Sequence, residues 1–494
     1  MDILSISLQR DIQTKRRIAM LRFLDEATEL TPIKDLADKL SCTIPTLRED
    51  IEVLNLNLKN QMQITESKQG VISFLHFNNL SVDSIINLII KQTLPYQIID
   101  CILHKKIINT VDAIDEFAVS RAHFSRTVNH MNEILKKFFI SISTKKDLTF
   151  VGKEVDIRTF LFAFYLEFGD RDIISKESGE SMKFYLNLSN KDGYFLHYCH
   201  FSLSVCVPII NLRWQQKKFV TMDKEIEESI VNKKGFAVFK SKLYEHYVKK
   251  HSILLPNDEL VWCFITSVRS ISYSETNALA INNNKNYVYR RETNVELIKE
   301  VNNFIIDSFS PHLLNKENLT IVEAFLINLL SLKQITTTYQ FVSAMSKSVV
   351  EKKYSDTYKK WESRLKQLPA ESIVSDLNFN VIATHLTIFE MSFKKQYETN
   401  NKLYVLFAFQ GPVGINHYLV QNSKTLLKSN IRADFFLEEI LDEQTVLNIN
   451  PDVIIANYDL QFVKVKCPFI RLSNFPSPIE WKKTADFFDS LLAK

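Results

Sequence analysis

A chain of 494 residues, 46% of them hydrophobic and 24% charged, has the balance of a globular protein of about three to five domains, which excludes a disordered or fibrous one. Eight glycines, with no GxGxxG and no GxxxxGKS/T pattern, argue against the glycine-cradled nucleotide sites of dinucleotide-binding and P-loop enzymes. A net charge of +4 names no partner by itself, so any nucleic-acid surface has to be local.

The cysteines Cys42, Cys101, Cys199, Cys206, Cys263 and Cys467 are scattered without a CxxC pair. That is the distribution of buried thiols in a reducing cytosol, and neither a metal nor a cofactor is expected. The N-terminus MDILSISLQRDIQTKRR does not have the pattern of a secretory signal, and no apolar run approaches the ~18 residues of a membrane span. A soluble cytoplasmic protein without membrane contact is expected.

In chain order, residues 13–74 read as three helices and a hairpin. Lys15 to Glu26 places Ile18, Leu21, Phe23 and Leu24 at helical spacing on an apolar face. Thr31-Pro32 reads as a cap followed by a first-turn proline, opening a helix through Leu36 and Leu40. After the turn Ser41 to Ile44, a third helix from Pro45 to about Leu58 keeps Leu47, Ile51 and Leu54 inward. The alternating segments Gln63 to Thr65 and Val71 to Phe74 flank a turn at Glu66 to Gly70. This is the winged helix-turn-helix order.

The order then recurs. Ser81 to His104 reads as two helices broken near Pro95, Thr110 to Glu116 as a short helix, Ser120 to Phe138 as a long one, and residues 140–151 as a second hairpin. Residues 101–151 hold eight Lys/Arg against five Asp/Glu, placing cations where phosphate contacts are needed. From Glu154 to Asn400 helical patterns dominate, among them Thr159 to Phe168, Lys224 to Lys250 and Ile321 to Leu332, a length that fits two bundles. The β-rich runs Leu403 to Phe409, Ala433 to Leu437, Asp452 to Tyr458 and Phe469 to Leu472 alternate with helical stretches, closing with Ile479 to Leu492. They imply a small parallel α/β domain.

The segments DLADKLSCTIPTLREDIEVLN, DAIDEFAVSRAHFSRTVNHMNEIL and HYCHFSLSVCVPIINLRWQQKKFV, in that order, resemble the Mga/AtxA family of virulence transcription regulators of Gram-positive bacteria. The resemblance covers essentially the whole chain. It implies a mainly α protein with five parts: winged helix-turn-helix domains at 1–77 and 78–153, helical bundles similar to phosphotransferase-system regulation domains (PRD) at 154–287 and 288–398, and an α/β module similar to enzyme IIB at 399–494. It also implies a homodimeric transcription regulator, an activator, with phosphotransferase-system phosphocarrier proteins as partners. One departure is plain: enzyme IIB carries a phosphorylatable cysteine just after its first strand, whereas here the sequence is FAFQGPVGINHYL.

Double-stranded DNA is the expected partner. The DNA-binding candidates are Thr43, Pro45, Thr46, Arg48, Asn55 and Lys68 in the first unit, and Ser120, Arg121, His123, Ser125, Arg126, Asn129, Lys145 and Lys146 in the second. The arginines are expected to bond guanine, and the amide and hydroxyl side chains to contact phosphates or bases. The bland alternative is a solvated polar helix face, and two tandem copies, each with a hairpin, weigh against it. By the resemblance, phosphohistidine candidates are His200, His197 and His385, with His312 behind them; buried structural histidines are the competing reading. No catalytic residues are expected. The functional alternatives are an RNA-binding antiterminator carrying the same regulation domains, or a phosphotransferase-system component. The helical opening speaks against the first and the missing cysteine against the second.

Overall fold

The computed structural model describes residues 4–27, 31–77, 80–104, 109–168, 200–232, 234–251, 254–269, 295–339, 347–375, 377–400, 403–428, 430–437, 441–460 and 467–492. The protein is mainly helical and packs as two compact units: residues 1–308 with 316–388, and residues 309–315 with 389–494. Among the described residues no helix is long and apolar enough to cross a membrane.

The first unit opens with α1 (Leu4–Ser7), α2 (Ile12–Glu26), β1 (Thr31–Pro32), α3 (Ile33–Lys39), α4 (Ile44–Asn57), β2 (Met62–Glu66) and β3 (Val71–His76). The three strands form an antiparallel sheet in the order β1-β3-β2, with Thr31 opposite Ile72 and Glu66 also opposite Ile72 from the other side. Here the structure corrects the expectation for Thr31-Pro32: Pro32 is the helix cap, and the dipeptide is also an edge strand. An edge position tolerates proline because its nitrogen has no hydrogen to donate. Helix α4 buries Leu47, Asp50, Ile51 and Leu54, a 3.6-residue stripe with one carboxylate in it. That carboxylate anchors α4 to α2, because Asp50 accepts from Arg16 Nε at 2.5 Å and from Arg17 Nε at 2.8 Å.

There follow α5 (Val82–Lys91), α6 (Leu94–His104), α7 (Thr110–Glu116), α8 (Arg121–Leu135), a 3-10 turn (Lys136–Phe138), β4 (Ser141–Ser143) and β5 (Thr149–Val151). The third strand of this sheet is reduced to a single bridge between Asn109 and Asp147. Gly152 links β5 to the next helix at φ +147°, where a Cβ would stand 2.7 Å from Ile140 Cγ2 and 3.0 Å from the Phe139 carbonyl oxygen. Only glycine suits that position.

Helix α9 (Glu154–Leu166) is buried along nearly its whole length. Although the sequence pattern groups it with the following bundle, its aromatic face completes the core of the preceding module: Phe160 lies 5.4 Å from Phe138 and 5.8 Å from Phe150 between ring centroids. Its C-terminal end takes up α1, as the Glu167 carboxylate accepts from the Leu4 and Ser5 N–H groups at 2.6 and 2.8 Å.

The other face of α9 carries charge into the helical region, which comprises α10 (His200–Gln215), α11 (Lys224–Val231), α12 (Lys234–His251), α13 (Asn257–Arg269), α14 (Val295–Ser308), α15 (Lys316–Lys333), α16 (Lys347–Lys353), α17 (Ser355–Lys366) and α18 (Phe379–Asn400). The run Lys224 to Lys250, continuous by pattern, divides into α11 and α12 after the cap at Asn232. Arg158 forms a fork on Glu259 of α13 at 2.9 and 2.8 Å, and also donates to Glu154 at 3.0 Å and to the Lys218 carbonyl at 2.8 Å. Arg213 of α10 closes the group on Glu154 at 2.8 and 2.6 Å. Trp214 Nε1 and the Val220 N–H saturate Glu259. Asp156, two residues from both Glu154 and Arg158, accepts from the Thr336 and Thr338 hydroxyls at 2.6 and 3.0 Å.

The second unit is built on a parallel sheet of β6 (Leu403–Phe409), β7 (Ile431–Leu437), β8 (Val453–Ala456) and β9 (Phe469–Arg471) in the order β7-β6-β8-β9. Helices α19 (Val413–Thr425), α20 (Glu443–Ile449) and α21 (Pro478–Leu492) complete it. Strand β6 is central and reads as a continuous apolar run because both of its faces are covered. Val405, Phe407 and Phe409 enter one core, Leu406 and Ala408 the other. These are the strands and closing helix that the alternating pattern implies.

Replacing Arg158 with methionine keeps most of the side-chain volume but strands Glu259 as a buried unpaired carboxylate. We predict a loss of about 3–5 kcal/mol in the first unit, seen as a lowered midpoint in denaturant unfolding. An unchanged midpoint would show that the network carries no net stability.

Candidate nucleic-acid interface

The two hairpin-bearing modules repeat in atomic detail at a spacing of 77 residues. Ser41 and Ala118, each in the turn before the long helix, both adopt left-handed φ angles, 51° and 50°. Thr43 and Ser120 then cap α4 and α8, their hydroxyls accepting from the Thr46 and His123 N–H groups. Leu47, Ile51, Leu54 and Leu58 are buried in the first module, and Phe124, Val128, Met131 and Leu135 at the matching positions of the second.

A further repeated contact fixes each hairpin to its helix. The Asn55 amide donates to the Ile64 carbonyl at 2.7 Å and accepts from the Ile64 N–H at 2.8 Å. Asn132 holds Ile142 in the same way, at 3.1 and 2.7 Å. Each amide replaces a strand partner for the first hairpin strand. Sequence reasoning assigns Asn55 to DNA and passes over Asn132; the signal that was available is the same residue at the same place in both motifs.

The outward faces of the two helices differ. Helix α4 exposes Arg48, Glu49 and Glu52, and Arg48 forms a fork on Glu66 of β2 at 2.8 and 2.7 Å, which holds the Glu66 carboxyl below its ordinary pKa range. Thr43 and Pro45 are exposed and Thr46 is half-buried, the two threonine hydroxyls lying 2.9 Å apart. Lys68 is exposed at the hairpin tip. With its one arginine engaged by Glu66, the α4 face is poorly matched to phosphate.

Helix α8 presents Arg121, Ser125, Arg126 and Asn129, all exposed, and has no acid before Glu133. Among the described residues Arg121 makes no ion pair, and Arg126 Nε rests on the Ala122 carbonyl at 3.1 Å. His123 is exposed on the flank toward α2, and His130 on that side contacts the Ser7 carbonyl at 3.0 Å. Beside α8 the second hairpin exposes Lys145 and Lys146. Its tip is pinned to α7, as Thr110 Oγ1 donates to the Thr144 carbonyl at 3.1 Å and the Thr110 N–H to Lys146 O at 3.4 Å. Cations, a hydroxyl and an amide are thus exposed on α8 and on the hairpin beside it, the chemistry that duplex recognition uses.

Residues 78–165, from the start of the second module almost to the end of α9, match the Mga helix-turn-helix domain. This stretch is therefore similar to the Mga helix-turn-helix domain. Over 490 residues the chain is 22% identical to the capsule synthesis positive regulator AcpA of Bacillus anthracis, covering 93% of this chain and 94% of that protein. The matched segment includes α9, in keeping with the packing of Phe160 against Phe150 of the hairpin and of Phe164 against Tyr96 of α6.

The histidine candidates lie C-terminal to the matched segment in the sequence. His197 falls outside the described residues, and His200 begins α10. His385 is half-buried, its ring 4.6 Å from that of Phe325, and His312 packs 5.0 Å from Tyr397.

Truncating Asn132 to alanine leaves the Ile142 N–H and carbonyl without their partner, at a cost of about 1–3 kcal/mol. We predict faster amide hydrogen exchange in β4 of the Asn132→Ala variant and in β2 of Asn55→Ala. Protection equal to wild type in both would remove the clamp.

Proposed function

We propose that the chain is a DNA-binding transcription regulator, an activator, in which both modules are winged helix-turn-helix domains and α8 is the helix that enters the major groove. The observation that carries this is the exposed set Arg121, Ser125, Arg126 and Asn129, on a helix whose opposite face is sealed into the core. Groove-entering helices present the side chains of their first turns to base edges, and arginine is the usual partner of guanine. Lys145 and Lys146 flank this helix as phosphate contacts. The match to the Mga helix-turn-helix domain and the likeness to a positive regulator support the same assignment. Within the first module, Thr43, Pro45, Thr46 and Lys68 form the weaker half of the interface, because Arg48 and Asn55 already have intramolecular partners.

The helical region between the Mga domain and the α/β unit is proposed as two PRD-like bundles, and the α/β unit as an enzyme IIB-like module serving homodimerisation. In these bundles His200 and His385 are the proposed acceptors for phosphate from phosphotransferase-system carriers. At His385 a phosphoryl group would be placed against the Phe325 ring and would push the contact apart, a local charge change able to shift a two-state packing.

Gel-shift titrations of the full-length chain across salt concentrations test the central assignment. Arg121→Ala is expected to cost about 1–3 kcal/mol and to relax the preference at one base position, whereas Lys145→Ala and Lys146→Ala should weaken all sequences alike. Salt-insensitive or absent binding to every duplex would overturn it.

A further inference from the structure

A cleft of about 940 Å³ runs between the two modules, bounded by residues 9–14 and 17 on one side, the C-terminal half of α4 below, and the first turns of α6 and α8 on the other side. Its polar lining includes Arg10, Gln13, Arg17, Asn57, Gln92 and His123. These are cations, amides and an imidazole, all able to donate hydrogen bonds. Asp11 is the one carboxylate in the lining, and it is committed to capping α2, accepting from the Gln13 and Thr14 N–H groups and from the Thr14 hydroxyl at 3.2, 2.9 and 2.6 Å. Arg17 is held by Asp50, so the cation left for a ligand is Arg10, exposed and making no ion pair among the described residues.

We propose that this cleft seats the sugar-phosphate backbone of the duplex beside the groove that α8 enters, with Arg10 as its principal cation. The proposal rests on the DNA-binding function above and adds a site that the helix-turn-helix pattern does not contain. Three features point to a polyanion in extended contact. The cleft is only partly enclosed and mixes polar with apolar side chains, whereas small-ligand pockets bury most of the ligand behind predominantly apolar walls. Its donors are spread over both modules, so a continuous strand can meet them in succession, as backbone-positioning contacts do. And His123 and Thr127 of α8 form one wall, which places the cleft next to the surface bearing Arg121 and Arg126. The first module would then serve DNA through the start of α2 and the tail of α4 as well as through Thr43, Pro45, Thr46 and Lys68, while the acidic residues Glu49 and Glu52 of α4 stay off the duplex.

The test uses the full-length protein, a pool of random-sequence duplexes and the sequence that wild type selects from it. Arg10→Ala should raise the dissociation constant for every duplex by a common factor, leave the base preference intact, and reduce the slope of log affinity against log salt by about one. Arg10→Lys should restore the slope. If Arg10→Ala binds with wild-type affinity and slope while Arg121→Ala still relaxes specificity, the cleft proposal falls and the DNA-binding function stands. If wild type binds no duplex, both fall together. Calorimetric titration of the DNA-free protein with inorganic pyrophosphate distinguishes the other source of the same chemistry. Tight binding that needs Arg10, with an unaltered DNA salt slope in Arg10→Ala, would make the cleft a site for a free phosphate compound and overturn the proposal.

Discussion

The buried charge network on α9 is the constraint around which the first unit is organised. Four ionised groups, Glu154, Arg158, Arg213 and Glu259, are removed from water in two opposite pairs, with the Trp214 indole and a backbone N–H and carbonyl completing their hydrogen bonds. Such a group offsets its desolvation only when every partner is in place. Geometry is therefore dictated at three elements at once: α9, α10 and α13 cannot shift independently without stranding a charge. Asp156 adds the segment at Thr336 and Thr338. Because the opposite face of α9 is welded to the second helix-turn-helix module through Phe160 and Phe164, one helix belongs to two cores. Any rearrangement in the helical region that moves α10 or α13 therefore acts directly on α9, whose other face forms part of the core of the second module.

The two N-terminal modules show how a repeated scaffold separates support from contact. What is common to both is structural: the left-handed turn residue, the hydroxyl cap, the apolar stripe and the asparagine that grips the hairpin. What differs is the solvent face. In α4 an arginine is spent on Glu66 and a buried aspartate on α2, whereas α8 has a threonine, Thr127, where α4 has Asp50, and leaves its arginines outward. The same local rules thus build one helix whose polar groups are mostly turned to its own module and one whose groups face solvent.

Much of the architecture was legible in the sequence, because long periodic stripes and alternating runs are physical consequences of burial. The helices of both modules, both hairpins and the four parallel strands stand within a few residues of where hydrophobic periodicity puts them. What escaped has identifiable causes. The strand Thr31–Pro32 is two residues long and has no period to detect; it exists because β3 offers it an edge. Helix α9 carries apolar residues on one side and three charged residues at alternate positions, and a linear pattern cannot say that those charges have partners a hundred residues away. For the candidate interface, residue type alone could not separate Asn55 and Arg48, already bonded within the module, from Arg121 and Asn129, which face outward. That distinction depends on the distance to the hairpin, a tertiary property.

The double membership of α9 bears on how such a chain can be cut. A gene fragment ended at the second hairpin, near Gly152, would expose Phe138 and Phe150, remove the carboxylate that holds α1, and leave the module without its last wall. Extending the fragment through Phe168 would retain both, at the cost of exposing Arg158 and Glu154 to solvent, where their charges are readily hydrated. The natural seam of the molecule therefore runs through the polar side of a helix instead of through a loop, and dissection experiments will report on different objects depending on which side of α9 they place the stop codon.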